Sequence, residues 1–219
     1  MIIPNLTLPQ AIEGIEKCLT ARHDPSAFED VHMILEPYEG ITDEKLHEEI
    51  KFLKQLQLGW IKLDRLKVDQ QQMLDVYNDA HFGPTGNGDY RDIQGYAYSR
   101  CPQFVQDAFA VKLWASTGFL RCMPGKTVSR HKDMGRVAGI LIPCIGDQDS
   151  IPLTFWDDDG KKISEVILDK PTLINTTVQH SVDTPSQKER TNFNLCFMYP
   201  LTFEALADIL VRKGGIKQI

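Results

Sequence analysis

The residues with the clearest chemical potential are His131 and Asp133, which lie two positions apart shortly after a Pro-Gly turn at residues 124–125. On a strand, residues i and i+2 point to the same face, and at a strand end this spacing still lets both side chains converge. A second histidine, His180, comes later and is followed ten positions on by Arg190. Two histidines and one carboxylate are the ligand set of the facial triad that holds non-haem Fe(II) with positions left open.

A series of short strands is predicted from residue 93 onward, where apolar or alternating runs are separated by turn residues. The runs cover residues 93–98, 117–123, 137–143, 151–156, 163–168, 171–175 and 192–199. Many short strands at this spacing predict an antiparallel sandwich or barrel. Such a fold would have to position the two histidines and the aspartate.

Helices are predicted on either side of these strands. Apolar residues recur at helical spacing over residues 9–21 and in a stretch that Thr42 can cap and Gly59 ends, and residues 70–80 are a further candidate. Residues 31–35 predict a short strand, and residues 202–213 predict a terminal helix. We therefore expect a helical or mixed extension over residues 1–92, packed on a core over 93–200 and followed by a C-terminal helix within 201–219, in one compact domain.

Charge and cysteine content narrow the functional class. A net charge of −6 argues against a general binder of nucleic acid or anionic membranes. We see neither an apolar run long enough to cross a bilayer nor a signal peptide at the N-terminus. The five cysteines are odd in number, scattered and without a Cys-x-x-Cys pair, which indicates reduced thiols and a cytoplasmic-type location.

The order of the candidate residues resembles that of the iron(II)/2-oxoglutarate-dependent dioxygenases. Their double-stranded β-helix carries His-x-Asp, a distal histidine and, shortly after it, a basic residue; the matching segments here are 131–133, 180–182 and 190–193. Residues 121–125 and 129–131 are similar to the strand and turn that precede the first ligand in the prolyl and aspartyl/asparaginyl hydroxylase branches. The resemblance covers about residues 93–200.

This resemblance implies a mainly β fold with flanking helices around a jelly-roll, cupin-like core. It implies that His131, Asp133 and His180 bind Fe(II) and form the catalytic centre. The far carboxylate of 2-oxoglutarate then needs a fixed cation, and Arg190 can supply a two-point, charge-assisted pair. Asn192 is expected on the same face of its strand as Arg190, as a further co-substrate contact.

Two more arginines, Arg121 and Arg136, are candidates for binding a carboxylate of the co-substrate or of the substrate. For each, a solvated or strand-paired arginine is the commoner outcome. Of the two, Arg121 is the one we add to the expected co-substrate site.

The implied reaction converts 2-oxoglutarate and O2 to succinate and CO2 while a substrate C–H bond is hydroxylated. The expected substrate is an amino-acid side chain in a peptide, a free amino acid or a small metabolite, without nucleic-acid or membrane partners. Two alternatives remain open. A cupin-like metalloenzyme that does not use 2-oxoglutarate would not need Arg190, and usually presents His-x-His with a Glu. A non-enzymatic β-sandwich would leave His131, Asp133 and His180 without a common point.

Overall fold

The computed structural model describes residues 6–84, 93–98, 101–113, 115–145 and 151–217. Its contacts divide the chain into two compact units, Met1–Leu58 and Gly59–Ile219. The helices are α1 (Leu8–His23), α2 (Val31–Leu35), α3 (Asp43–Gln57), α4 (Gln70–Asn78), α5 (Gln103–Gln106) and α6 (Phe203–Ala207). A π-helical turn, Asp208–Arg212, continues α6. Across the described residues, no helix combines the length and the apolar character of a membrane span.

The strands are β1 (Trp60–Lys62), β2 (Gly83–Pro84), β3 (Ile93–Tyr98), β4 (Ser116–Cys122), β5 (Val128–His131), β6 (Arg136–Ile145), β7 (Pro152–Trp156), β8 (Lys162–Ile167), β9 (Thr172–Asn175), β10 (Gln179–Val182) and β11 (Arg190–Met198). Each of the seven strands predicted from the apolar runs is confirmed, with ends shifted by at most a few residues.

The unit Met1–Leu58 is built on α1 and α3, which pack against each other. Thr7 caps α1 through a capping box with Gln10, and the Thr42 hydroxyl accepts a hydrogen bond from the Lys45 amide at the start of α3. Each helix buries one apolar stripe, which in α3 contains Leu46, Ile50, Leu53 and Leu56. The predicted helices at residues 9–21 and after Thr42 are therefore confirmed.

The strand predicted at residues 31–35 is wrong, because Val31–Leu35 forms the short helix α2. Five residues, four of them apolar, give no periodicity that separates a strand from a helical turn. The following Pro37 lies in a 3-10 turn, Glu36–Tyr38, that continues directly from α2.

Two antiparallel sheets form the core of the unit Gly59–Ile219. The larger sheet has the order β1-β9-β6-β11-β4-β3-β2, and the smaller has the order β5-β10-β7-β8. From β4 to β11 the chain passes repeatedly from one sheet to the other, so sequence neighbours such as β4, β5 and β6 lie in alternate sheets. This topology is a double-stranded β-helix, or jelly roll, which confirms the expected fold class.

The unit with the two sheets starts earlier than residue 93. Trp60–Lys62 pairs with Thr172–Ile174 and forms one edge of the larger sheet. Three residues are too few to show an alternating pattern, so the sequence of residues 60–62 does not predict a strand. Residues 85–92, which we expected to form the end of the N-terminal extension, lie outside the described residues.

Apolar side chains from both sheets fill the space between them at one end. Phe155 and Leu153 of β7 pack there with Ile174 of β9 and Val182 of β10. Gly59 lies directly against Phe155: a Cβ atom added to Gly59 would be 2.9 Å from Phe155 Cδ1. Gly59 also has a φ of +80°, which L-residues rarely adopt.

Replacing Gly59 with alanine should therefore destabilise the protein through both backbone strain and overpacking. We expect Gly59→Ala to lower the free energy of unfolding by about 2–4 kcal/mol. Gly125 is the matched control because it has a φ of +75° and no atom within 4 Å of its added Cβ. Gly125→Ala should cost only the backbone part, about 1 kcal/mol. Denaturant unfolding measures both, and equal losses would refute the role of Phe155.

Candidate metal centre

The two histidines come together because their strands are neighbours in the smaller sheet. His131 ends β5 and His180 lies in β10, and the antiparallel register places them directly opposite each other. Their ring centroids are 4.4 Å apart. On the other side of β10, the partner of His180 is the fully buried Phe155, so the His180 imidazole lies against the apolar interior.

Asp133 joins the histidines from the turn that follows β5. Its amide donates a hydrogen bond to the Thr176 carbonyl at 3.0 Å, which holds the turn against the end of β9. Asp133 Oδ1 then lies 3.5 Å from His131 Nε2. One ligand atom from each of His131, Asp133 and His180 lies within 4.8 Å of the others, and no other such metal-binding group occurs among the described residues.

Both imidazoles are oriented by the backbone. His131 Nδ1 donates to the Ser129 carbonyl at 2.8 Å, and His180 Nδ1 donates to the Val178 carbonyl at 2.9 Å. A carbonyl only accepts, so each Nδ1 carries the proton and Nε2 is the nitrogen with metal-binding capacity. Metal-binding histidines usually have such a partner on the second nitrogen, which fixes the tautomer and the ring.

The three groups have pKa values that differ in direction. Burial lowers the pKa of His180, which keeps this ring neutral. The hydrogen bond with Asp133 raises the pKa of His131 in spite of its partial burial. Burial raises the pKa of Asp133, but the hydrogen bond with His131 and the charge of Arg136 outweigh it and hold that pKa below its usual value. Asp133 is therefore ionised at neutral pH.

The three groups line a cavity of about 490 Å³ between the sheets. Strand β11 of the larger sheet supplies much of the opposite wall. Its alternate residues line the cavity: Arg190, Asn192, Asn194 and Cys196. The residues between them are buried on the other face of the sheet, where Phe193 contacts Phe119 with ring centroids 5.1 Å apart. Asn192 thus lies on the same face as Arg190, as predicted from alternation.

Arg190 is a buried cation in this cavity. The residue is only 7% exposed, and its Nη2 contacts the Cys122 thiol at 3.7 Å. Its Nε has no hydrogen-bond partner, and no ion pair to Arg190 is found among the described residues. Burying a charge without a counter-ion costs several kcal/mol of folding free energy, so an anion that binds this guanidinium in the cavity would stabilise the protein.

Arg121 does not reach the cavity, which corrects its expected place in the co-substrate site. It pairs across the sheet with Thr191, on the face opposite to Arg190. There its guanidinium lies 4.1 Å from the Phe82 ring centroid and 3.8 Å from Glu189. Arg121 lies between Leu120 and Cys122, and both faces of β4 are covered, so the alternation of polar and apolar residues did not reveal which face is inside.

Two further cavity residues gave little signal in the sequence. Asn194 is 7% exposed, and its Oδ1 accepts no hydrogen bond from the part of the chain that the structure describes. Extending the alternation of Arg190 and Asn192 by two residues would have found it. Arg136, named only as a general candidate, lines the cavity and donates from Nη2 to Asp133 Oδ1 at 2.9 Å.

No family model and no curated protein matches this chain. Among solved structures, the chain is similar to a prolyl-4-hydroxylase from Pseudomonas putida, with 14% identity and a TM-score of 0.45 over 67% of this chain and 96% of that one. A 2OG-Fe(II) oxygenase family oxidoreductase from Burkholderia pseudomallei has 11% identity and a TM-score of 0.49 over 68% of this chain and 90% of that one. A prolyl hydroxylase from Trichoplax adhaerens has 14% identity and a TM-score of 0.46 over 76% and 97%. Similarity at these levels does not extend to function, which has to be inferred from the site itself.

Proposed function

We propose that this protein is an Fe(II)- and 2-oxoglutarate-dependent oxygenase that hydroxylates an amino-acid side chain, either in a peptide or in a free amino acid. One observation carries the proposal. His131, Asp133 and His180 converge on the wall of the cavity in which Arg190 is buried, and none of the described carboxylates forms an ion pair with Arg190. A chelating dicarboxylate can bind a metal ion through one end and a buried cation through its other carboxylate, and this cavity offers a group for each.

The residues fit Fe(II) by their chemistry. Two imidazole nitrogens and one carboxylate oxygen suit Fe(II), and three protein ligands leave positions for exogenous molecules. The backbone bonds of both Nδ1 atoms and the bond from Arg136 to Asp133 hold the ligands in place. When bound, the metal supplies the reactivity with O2 by which 2-oxoglutarate becomes succinate and CO2 and the substrate is hydroxylated.

Arg190 and Asn192 form the proposed co-substrate site. The Arg190 guanidinium would bind the far carboxylate of 2-oxoglutarate through charge-assisted hydrogen bonds, and the Asn192 amide on the same face would add a donor. Apolar side chains, among them Val128, Val182 and Leu141, line the cavity around these groups. They limit the water that competes for the guanidinium and so strengthen the pairing.

The alternatives find less support. A cupin-like metalloenzyme that does not use 2-oxoglutarate would bind no dicarboxylate at Arg190, so the free-energy cost of burying this guanidinium would be unexplained. A non-enzymatic sandwich would explain neither the convergence of three ligand groups nor their backbone orientation.

All five cysteines are unpaired thiols, which supports the proposed cytoplasmic-type location.

Removing one ligand should abolish the metal-keto-acid complex. We expect anaerobic titration with Fe(II) and then 2-oxoglutarate to produce the weak visible charge-transfer band of the chelated keto-acid in the parent protein. His180→Ala and Asp133→Ala should lack the band and all 2-oxoglutarate turnover. His81→Ala, which changes an exposed histidine, is the control and should behave as the parent. A band that persists in both ligand variants would refute the assignment of the metal site.

Arg190 should determine the affinity for 2-oxoglutarate. A charged hydrogen-bond partner contributes about 1.5–3 kcal/mol, so Arg190→Ala should weaken 2-oxoglutarate binding roughly 10- to 150-fold, measured by titrating the same band. Arg190→Lys should recover part of this loss because it keeps the charge but not the two-point geometry. Arg121→Gln changes an arginine on the opposite face of the sheet and should leave the affinity unchanged. Equal losses in Arg190→Ala and Arg121→Gln would contradict the assignment.

Metal affinity should increase with pH across the raised pKa of His131. Below that pKa the proton competes with the metal for Nε2, and each displaced proton costs about tenfold in affinity per pH unit. The lowered pKa of His180 and of Asp133 means that neither contributes a comparable loss near neutral pH. Anaerobic Fe(II) binding should therefore weaken from pH 8 to pH 6 and level off at higher pH. An affinity that does not change over this range would contradict the proton competition at His131.

A further inference from the structure

A second cavity arginine, Arg136, has a different environment from Arg190. It is the first residue of β6, lies opposite Met198 of β11, and has a side chain that is 37% exposed. Its Nη2 donates to Asp133 Oδ1 at 2.9 Å, and its Nη1 contacts the Cys196 Sγ at 3.2 Å. Arg136 thus joins a proposed metal ligand to the solvent-accessible part of the cavity.

The Arg136 guanidinium has the capacity to bind a further anion. An arginine has five N–H donors, and these two contacts use two of them. One of the two goes to a thiol sulfur, which is a weak acceptor. The remaining donors allow Arg136 to bind a second carboxylate without releasing Asp133.

The charge balance of the cavity also favours an anionic substrate. A divalent metal and the dianionic co-substrate cancel each other, and Asp133 compensates one of the two cavity arginines. Lys132, which also lines the cavity, forms an ion pair with Asp158 at 2.7 Å. One guanidinium charge is then left uncompensated, and one carboxylate on the substrate would balance it.

Asn194 provides a separate indication of a polar ligand at this position. Its Oδ1 is buried in the cavity wall without a hydrogen-bond partner among the described residues, and Asn194 lies two residues before Cys196 on the same face of β11. Cys196 is the residue that Arg136 contacts. A ligand at this position therefore meets a guanidinium that suits a carboxylate and an amide oxygen that suits an N–H or O–H donor.

We propose that Arg136 determines substrate specificity by binding a carboxylate of the prime substrate, an inference that rests on the proposed oxygenase function. Because the guanidinium contacts Asp133, the bound carboxylate lies beside the metal ligands. The carbon to be hydroxylated must then be only a few bonds from that carboxylate. Two sources have this chemistry: the α-carboxylate of a free amino acid, and the side-chain carboxylate of Asp or Glu in a peptide.

The test measures substrate binding separately from metal and co-substrate binding. Anaerobic protein with Fe(II) and 2-oxoglutarate is titrated with the free L-amino acids, with their α-amides, and with end-blocked peptides that contain Asp or Glu or, as neutral counterparts, Asn or Gln. We expect one carboxylate probe to shift the keto-acid band and its neutral counterpart to do so at least tenfold more weakly. In air, the same probe should gain one oxygen by mass. A response to the free amino acids identifies the α-carboxylate, and a response to the Asp or Glu peptides identifies the side chain.

The variants separate specificity from a structural role. Arg136→Gln removes the ion pair with Asp133 and should weaken Fe(II) binding, so it is compared with the parent at saturating Fe(II) and 2-oxoglutarate. Under these conditions it should still form the band, but the carboxylate probe should shift that band at least tenfold more weakly. Arg136→Lys should restore part of this response. Arg130→Gln is the control, since Arg130 stacks 3.8 Å from the Trp156 ring centroid and does not line the cavity. Four outcomes would each overturn this inference. Arg136→Gln could lose the band itself, or it could bind the carboxylate probe as well as the parent does. In the parent, only neutral probes could shift the band, or no probe could. A parent protein without the band would overturn the proposed function, and this inference with it.

Discussion

The antiparallel pairing of β5 with β10 is the constraint on which the candidate site depends. It places His131 opposite His180, and a shift of the register by one residue would turn one imidazole to the other face of the sheet. The Nδ1 bonds to carbonyl groups two residues earlier then orient both rings. Asp133 is positioned beside them because its amide donates a hydrogen bond to the Thr176 carbonyl at the end of β9. Backbone pairing thus assembles the proposed ligand set, so a metal ion that binds there would meet a preformed site.

Strand β11 connects this site to the stability of the sandwich. One of its faces presents Arg190, Asn192 and Asn194 to the cavity, whereas the other buries Phe193 and Leu195 completely. Burying the Arg190 guanidinium, for which the described residues supply no counter-ion, is unfavourable, and the apolar packing on the opposite face of the same strand offsets that cost. A cavity that holds an unpaired cation at the expense of stability is consistent with a binding role for that cation.

Much of the fold could be predicted from the sequence because most strands carry apolar runs with turn residues between them. The strands that carry the histidines were harder to predict. Residues 129–131 of β5 are Ser, Arg and His, and β10 begins with Gln and His, so neither strand shows the apolar pattern of a half-buried strand. The convergence of His131, Asp133 and His180 could still be predicted, because the order of these residues along the chain is more distinctive than the strands that hold them. The polar residues around the two histidines are the reason why the apolar pattern did not predict these two strands.

The side of the sheet on which each arginine lies depends on the pairing between strands, which only the structure reveals. Arg121 is opposite Thr191, and cross-strand partners point to the same side, so Arg121 lies on the outer face with Glu189. Arg136 is opposite Met198, an even-numbered residue like Arg190 and Asn194, and therefore lies on the cavity side at the open end of β11. The two cavity arginines thus lie near opposite ends of β11: the buried Arg190 is its first residue, and the half-exposed Arg136 of β6 pairs with its last residue, Met198. The buried cation suits a small co-substrate enclosed by the sheets, whereas the half-exposed cation beside Asp133 suits a substrate that enters from solvent.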